Sequence, residues 1–359
     1  MNAVLEFFRS EFRPPDYLAL PTAGVDVSQS GIKVVTLVPK MHGLEVRSMG
    51  EAPLPKGAIV GGEMTDRKTV VETIQKLAKE HHFSRANIAL PETRGYLFEA
   101  VAPEGSKNTQ KVAIEQHLDE HVPLPAQDVV FDIAPLEKSE EGEKVVGVGY
   151  ARRVVEEAVS AFEEAGIEVR SAESEMFALP RALLPEGSDE TVLIVDIGKS
   201  TTKLLVVTAR LPRFVTTLEV GGHALTLAIH KYFGASEEEA KKIKMERGIM
   251  PEKGNEEYLA AMLSTVSVIR DELSRRLEYW QTHAEEEGYP KVNRVLLVGG
   301  NAGVRGLPEY FEQSLHIPVT RGDVYLHLAP LSVWHPPIEG VASLAYATAL
   351  GLALREYDR

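Results

Sequence analysis

The chain contains no cysteine. That absence excludes disulfides, thiolate nucleophiles, iron–sulfur clusters and zinc fingers, and it suits a reducing compartment. Positive charge is in short supply as well. The 39 basic and 53 acidic side chains leave a net charge of −14, the wrong sign for a general phosphate-backbone binder, so nucleic acid is not an expected partner. Long apolar runs are also missing. Gly340–Leu354, the longest charge-free apolar stretch near the end, falls short of the roughly 20 residues of a spanning helix, and no transmembrane insertion is expected. Met1–Phe12 lacks the basic start and the cleavage site of an export signal. Its Val4, Phe8 and Phe12 fall on one helical stripe, read as a helix docked on its own body. The expected location is cytoplasmic.

With 359 residues, 44% of them hydrophobic, the chain is long enough for two or three domains with sizeable cores. Strand-like and helix-like patterns alternate, which predicts an α/β fold. Gly24–Lys40 and Gly43–Glu51 read as strands around a Met-His-Gly turn, Asp66–His81 as a helix, and Ala86–Leu90 as a short buried strand. The next block predicts strands at Gly95–Ala102, Val129–Leu136 and Lys144–Tyr150. Helices are expected at Thr109–His121 and Arg153–Ala165, with an exposed acidic turn at Ser139–Glu143. Pro185–Glu190 reads as a linker. After it come strands at Thr191–Ile197, Lys203–Thr208, Phe214–Val220 and Arg294–Val298. Helices are expected at His223–Phe233, Ser236–Arg247, Val266–Glu287 and Leu307–Leu315, and a last one at Gly340–Glu356.

An internal repeat carries the most information. Asp26–Lys33 reads DVSQSGIK and Asp196–Lys203 reads DIGKSTTK, so Asp, a β-branched residue, Ser and Lys recur in register between apolar strands. Each copy predicts a tight β-hairpin. Its turn of small and hydroxyl residues offers N–H and O–H groups to phosphate oxygens. Asp26 and Asp196, each closing an incoming strand, are candidates to hold a hydrated Mg²⁺. Gly198-Lys199-Ser200-Thr201 mimics the end of a P-loop, but Leu193 stands where the first glycine belongs and the following residues read as a strand. Gly299, Gly300 and Asn301 follow a buried strand and suit close backbone approach to a nucleoside.

Other constellations are weaker. His117 and His121 lack the glutamate of a zinc-protease helix and read as solvent-facing, while Gly147-Val148-Gly149 has Arg152 where a dinucleotide fingerprint needs its third glycine.

Taken in order, DVSQSGIK, DIGKSTTK, LEVGGHALT (Leu218–Thr226), EEAKKIK (Glu238–Lys244) and VGGNAGV resemble the actin-like ATPase superfamily. Within it the chain most resembles the PilM proteins of type IV pilus assembly, relatives of the division protein FtsA. EQHLDEHVPLP (Glu115–Pro125) and DVVFD (Asp128–Asp132) are similar to the small inserted domain those two share. The resemblance implies two duplicated ribonuclease-H-like lobes with a small α+β insertion. The expected divisions are 1–85, 168–190 and 340–359 for the first lobe, 86–167 for the insertion and 191–339 for the second lobe, with a helical subdomain near 235–265.

It further implies ATP or ADP with Mg²⁺ between the lobes. Ser28, Gln29, Ser30 and Lys33 would form one phosphate hairpin, and Gly198, Lys199, Ser200, Thr201, Thr202 and Lys203 the other. Gly221 and Gly222, Lys241 and Lys244, and Gly299–Asn301 would surround the nucleoside. Glu173 and Glu175 would lie near the attacking water. Ser28 replaces a usual glycine, and Glu173 stands where family members often have Asp, so nucleotide binding is expected ahead of rapid hydrolysis. The implied role is an adaptor at the inner face of the membrane that grips the cytoplasmic N-terminal peptide of a PilN-like membrane protein. The alternatives are an FtsA-like, self-associating filament former and a small-molecule kinase of the same fold.

Overall fold

The computed structural model describes residues 21–139, 142–252 and 254–358. The Val4–Phe12 stripe and part of the acidic turn at Ser139–Glu143 lie outside these. The chain opens with β1 (Thr22–Ser28), β2 (Gly31–Lys40) and β3 (Gly43–Pro53), an antiparallel meander. A two-residue-stranded ribbon, β4 (Ile59–Val60) and β5 (Glu63–Met64), leads into helix α1 (Arg67–His81) and strand β6 (Arg85–Leu90). Asp66 caps α1 by accepting the Thr69 N–H at 3.1 Å.

An insertion follows: β7 (Gly95–Ala102), α2 (Lys107–Glu115), β8 (Val129–Ser139) and β9 (Gly142–Ala151). Its sheet has the order β7-β9-β8 and encloses a small core of its own, including Phe98, Ile114, Leu118 and Val145. The helix expected over Thr109–His121 is shorter. It ends at Glu115, and only a 3₁₀ turn, Leu118–Glu120, follows. The chain bends there because Leu118 and Val122 enter this core while His121 stacks on Phe98, ring centroids 5.0 Å apart. His121 is therefore a packing residue, whereas His117 is exposed beside Glu120.

Helix α3 (Arg152–Glu164) and strand β10 (Glu168–Ser174) return to the first sheet, whose order is β10-β6-β1-β2-β3. Val154, Ala158 and Phe162 of α3 share a core with Val25, Ile32, Val34, Ile74 and Ile88. Thus α3 and all but the first residue of β6, although within 86–167, pack with the first lobe; the insertion's sheet runs from Gly95 to Ala151. Helix α4 (Glu175–Leu183) then crosses toward the second half.

That half repeats the plan. Strands β11 (Thr191–Ile197), β12 (Thr202–Thr208) and β13 (Leu211–Leu218) form a meander, followed by helices α5 (Gly222–Phe233), α6 (Glu237–Arg247) and α7 (Glu256–Glu287). Strand β14 (Arg294–Val298), helix α8 (Leu307–Leu315) and strand β15 (Val319–Arg321) complete a sheet of order β13-β12-β11-β14-β15. In both sheets three antiparallel strands are continued by two parallel ones. The first five residues of β11 are fully buried, as a central strand covered on both faces requires. Helix α7 begins ten residues before the expected Val266, and Ser236 opens α6 with a reciprocal capping box to Glu239.

A 3₁₀ stretch (Gly340–Tyr346) and helix α9 (Ala347–Leu354) replace the single helix expected at the end. Helix α9 packs backbone-to-backbone on the first lobe. A Cβ at Gly351 would stand 1.9 Å from the Ala178 carbonyl of α4, and one at Gly24 of β1 would stand 1.9 Å from the Ala349 carbonyl. No side chain fits at either crossing, so Gly351→Val should destabilise the protein by about 3 kcal/mol or more through forced separation of α9 from α4. Urea unfolding measures it; an unchanged midpoint would show that this contact is looser than described.

Candidate functional site

The register of the two hairpins is the same. Asp26 lies opposite Lys33 across β1 and β2, and Asp196 lies opposite Lys203 across β11 and β12. Both turns open on one cleft of about 740 Å³, lined by Asp26, Ser28, Gln29, Ser30 and Lys33 from the first and by Asp196, Gly198, Lys199, Ser200, Thr201 and Lys203 from the second. Glu51, Glu92, Glu175, Glu219, Gly299, Gly300 and Asn301 also line it, with Ala345, Ala347 and Thr348 from the last helical turns. The GKST sequence is a hairpin turn between strands, as its strand-like continuation predicts.

Carboxylates dominate the floor. Burial pushes the Asp26 carboxyl up to about 6 against the pull of Lys33, and the charges of Glu175 and Asp196 add to the rise. Asp196 is raised by burial too, opposed by Lys203. Lys203 would be lowered by its own burial, yet the charges of Glu175, Asp196 and Asp26 carry it above the ordinary lysine value. Its ammonium donates to Glu175 Oε2 at 2.6 Å.

Glu175 is the first residue of α4, where Ser174 provides the cap and the helix dipole favours an acid. Its other oxygen, Oε1, accepts the Glu92 N–H at 3.1 Å. The Glu92 carboxylate in turn accepts the Thr217 hydroxyl from β13. Burial raises the Glu92 carboxyl and the Thr217 hydrogen bond opposes that rise. Glu92 and Thr217 were not singled out from the sequence; no motif marks them, and only the fold brings their segments together.

Three expected site residues are placed elsewhere. Glu173, two residues before Glu175, is clamped by Arg181 and Arg355 and does not line the cleft. Thr202 is fully buried and its hydroxyl donates to the Val220 carbonyl at 2.7 Å. Gly221 backs onto the carbonyls of Gly198 and Lys199 instead of facing open space. Gly222, Lys241 and Lys244 line an adjoining cavity of about 460 Å³, which shares Lys199, Gly300 and Asn301 with the main cleft. Lys241 is exposed there and pairs with Glu237. Among the described residues no group of three or more His, Asp or Glu side chains forms a metal-ligand set.

A second polar junction ties the insertion to the second lobe. Arg213 on β13 donates to both oxygens of Glu99 on β7, at 2.6 and 3.1 Å, and its guanidinium lies 4.5 Å from the Tyr289 ring centre. Strand β13 thus carries both the Thr217 link to the cleft and the Arg213 link to the insertion.

Residues 24–357 match the family model described as type IV pilus assembly protein PilM. The chain belongs to the PilM family. A solved PilM–PilN type IV pilus biogenesis complex has the same fold, with a TM-score of 0.76 and 22% identity over 94% of this chain and 99% of that one. MreB5 of Spiroplasma citri bound to ADP aligns at TM-score 0.55 and 13% identity, covering 96% of this chain and 97% of that one. The ethanolamine utilization protein EutJ of Carboxydothermus hydrogenoformans aligns at 0.53 and 18%, covering 95% and 91%. The two similar halves expected from the repeat, and the actin-like fold implied by the resemblance, are the architecture of this PilM-family chain. No helix among its described residues is long and apolar enough to cross a membrane.

The Lys203–Glu175 pair is nearly enclosed in this site, with side chains 23% and 8% exposed. Removing Glu175 takes the hydrogen-bonded partner from Lys203 and the acceptor from the buried Glu92 N–H, so Glu175→Ala should cost about 3 kcal/mol in urea unfolding. Combining Glu175→Gln with Lys203→Met should cost less than the sum of the two single losses, although Asp196 and Asp26 then lose an offsetting charge. Additive single-variant losses would instead show two independent side chains.

Proposed function

We propose that this PilM-family chain is a nucleotide-loaded adaptor that holds Mg²⁺-ATP or Mg²⁺-ADP between its lobes and presents a binding surface to a PilN-like membrane protein. The observation that carries the reading is the identical Asp–Lys register of two hairpins opening on one cleft. Turn N–H groups and the hydroxyls of Ser30, Ser200 and Thr201 suit phosphate oxygens, and Lys33 and Lys203 offset their charge. Two hard carboxylates fit a magnesium ion that keeps most of its waters, and Asp26 and Asp196 would hold it. Such a cation, when bound, supplies the charge that offsets their costly proximity. The adjoining cavity beside Gly222, Lys241 and Asn301 suits the nucleoside. The ADP carried by the MreB5 relative supports the same assignment.

Hydrolysis is expected to be slow. Both oxygens of Glu175 are engaged, one by an ammonium and one by a backbone N–H, so the carboxylate is a poor base toward water. Nucleotide then acts as a structural ligand or slow switch that biases closure of the two sheet-bearing lobes on each other. The PilM–PilN complex supports a PilN-like membrane protein as partner; the family resemblance implies its cytoplasmic N-terminal peptide as the segment gripped, and through it a place at the inner face of the membrane.

Titration calorimetry of the purified chain tests the central part. Mg²⁺-ATP and Mg²⁺-ADP should bind at one site, and Asp196→Ala should weaken both at least about tenfold. Absence of binding at millimolar nucleotide would remove the reading.

A further inference from the structure

Lys244 lines the adjoining cavity yet is only 6% exposed, and its ammonium is fully engaged by protein acceptors. Its Nζ donates to the Gly222 carbonyl at 3.0 Å, to Thr226 Oγ1 at 3.1 Å and to Asn301 Oδ1 at 2.6 Å. A lysine has three N–H donors, so none remains for a ligand. Every acceptor is neutral, which distinguishes Lys244 from an ordinary buried ion pair. The hydrogen bond to Oδ1 also fixes the Asn301 amide, whose Nδ2 donates to the Gly198 carbonyl at 2.8 Å and to the Ile197 carbonyl at 3.4 Å.

The start of α5 grips the same turn from the other side. The Gly222 N–H donates to the Gly198 carbonyl at 3.0 Å and the His223 N–H to the Lys199 carbonyl at 2.8 Å. These N–H groups belong to the first helical turn, which has no intrahelical partners for them. The approach is tight: a Cβ on Gly222 would stand 1.9 Å from Asn301 Oδ1. The turn at Gly198 and Lys199 is therefore held between α5 and Asn301, and Lys244 joins those two supports through the Gly222 carbonyl and Oδ1.

We propose that Lys244 is a positioning residue that holds the second phosphate turn through Asn301 and Gly222 and directs no ammonium donor to the nucleotide. The ligand part of this inference rests on the nucleotide-binding reading; the strut does not. Its burial, which lowers the amine to about 8 with help from the neighbouring Lys241 charge, agrees with an ammonium held by neutral dipoles alone.

The test compares the full-length wild type with Lys244→Met by calorimetry, using Mg²⁺-ATP and adenosine as separate probes. Amide hydrogen exchange of the nucleotide-free proteins is followed alongside. A strut predicts about tenfold weaker Mg²⁺-ATP binding with a clearly smaller loss for adenosine, because the phosphate turn loses its direct support while Gly222 and Asn301 border the nucleoside cavity as well. Exchange should accelerate at residues 198–203 while α1 stays unchanged. Equal losses for both probes would mean direct nucleoside contact and overturn the proposal, as would unaltered exchange at 198–203. If the wild type binds neither probe, the nucleotide reading falls and the exchange result alone decides the strut. Should Lys244→Met fail to fold, Lys244→Gln, which keeps two donors without a buried charge, must show the same ordering.

Discussion

Two desolvated carboxylates at the floor of one cleft are the constraint around which this protein is built. Asp26 and Asp196 end equivalent strands of a duplicated meander, and each faces a lysine on the neighbouring strand. Their burial is unfavourable in the charged form, so the arrangement persists only because the packing around it leaves no alternative. The parallel strands beside β1 and β11, and α9 wedged against β1 and α4, keep both hairpins in place. Under the proposed function, a divalent cation bound there would add to the offset that Lys33 and Lys203 already supply.

The same charges reach beyond the cleft. Lys203 is shared between the second hairpin and Glu175, which grips the Glu92 backbone just ahead of the insertion. Glu92 is bonded to Thr217, and further along the same strand Arg213 clasps Glu99 of the inserted sheet. A ligand that drew Lys203 toward its phosphates would therefore act on groups that seat the insertion. Strand β13 is the element common to both junctions.

How much of this was legible in the sequence depends on whether the signal is local. The repeat was, because strand alternation fixes the face of each Asp and Lys and the apolar flanks fix the strands. Strands β11 and β14 and helix α8 have the boundaries their patterns predict. Glu173 and Glu175 could not be told apart from spacing, since they straddle a strand-to-helix junction. Arg181 and the distant Arg355 decide that Glu173 turns away. Helix α2 stops early because contacts with Phe98, remote in sequence, outweigh local helical periodicity. The early start of α7 was in principle readable, since Tyr258 and Met262 extend the buried stripe of Val266 and Ile269 at helical spacing. Lys244 was expected beside the nucleoside with Lys241, and only the placement of Asn301 and Gly222 reveals its burial.

Simultaneous engagement of both hairpins is the core of the account, and hydrogen exchange with and without saturating Mg²⁺-ADP observes it directly. Residues 28–33 and 198–203 should gain protection together, with matching dependence on nucleotide concentration. Saturable binding that protects one turn and leaves the other unchanged would contradict a shared phosphate site.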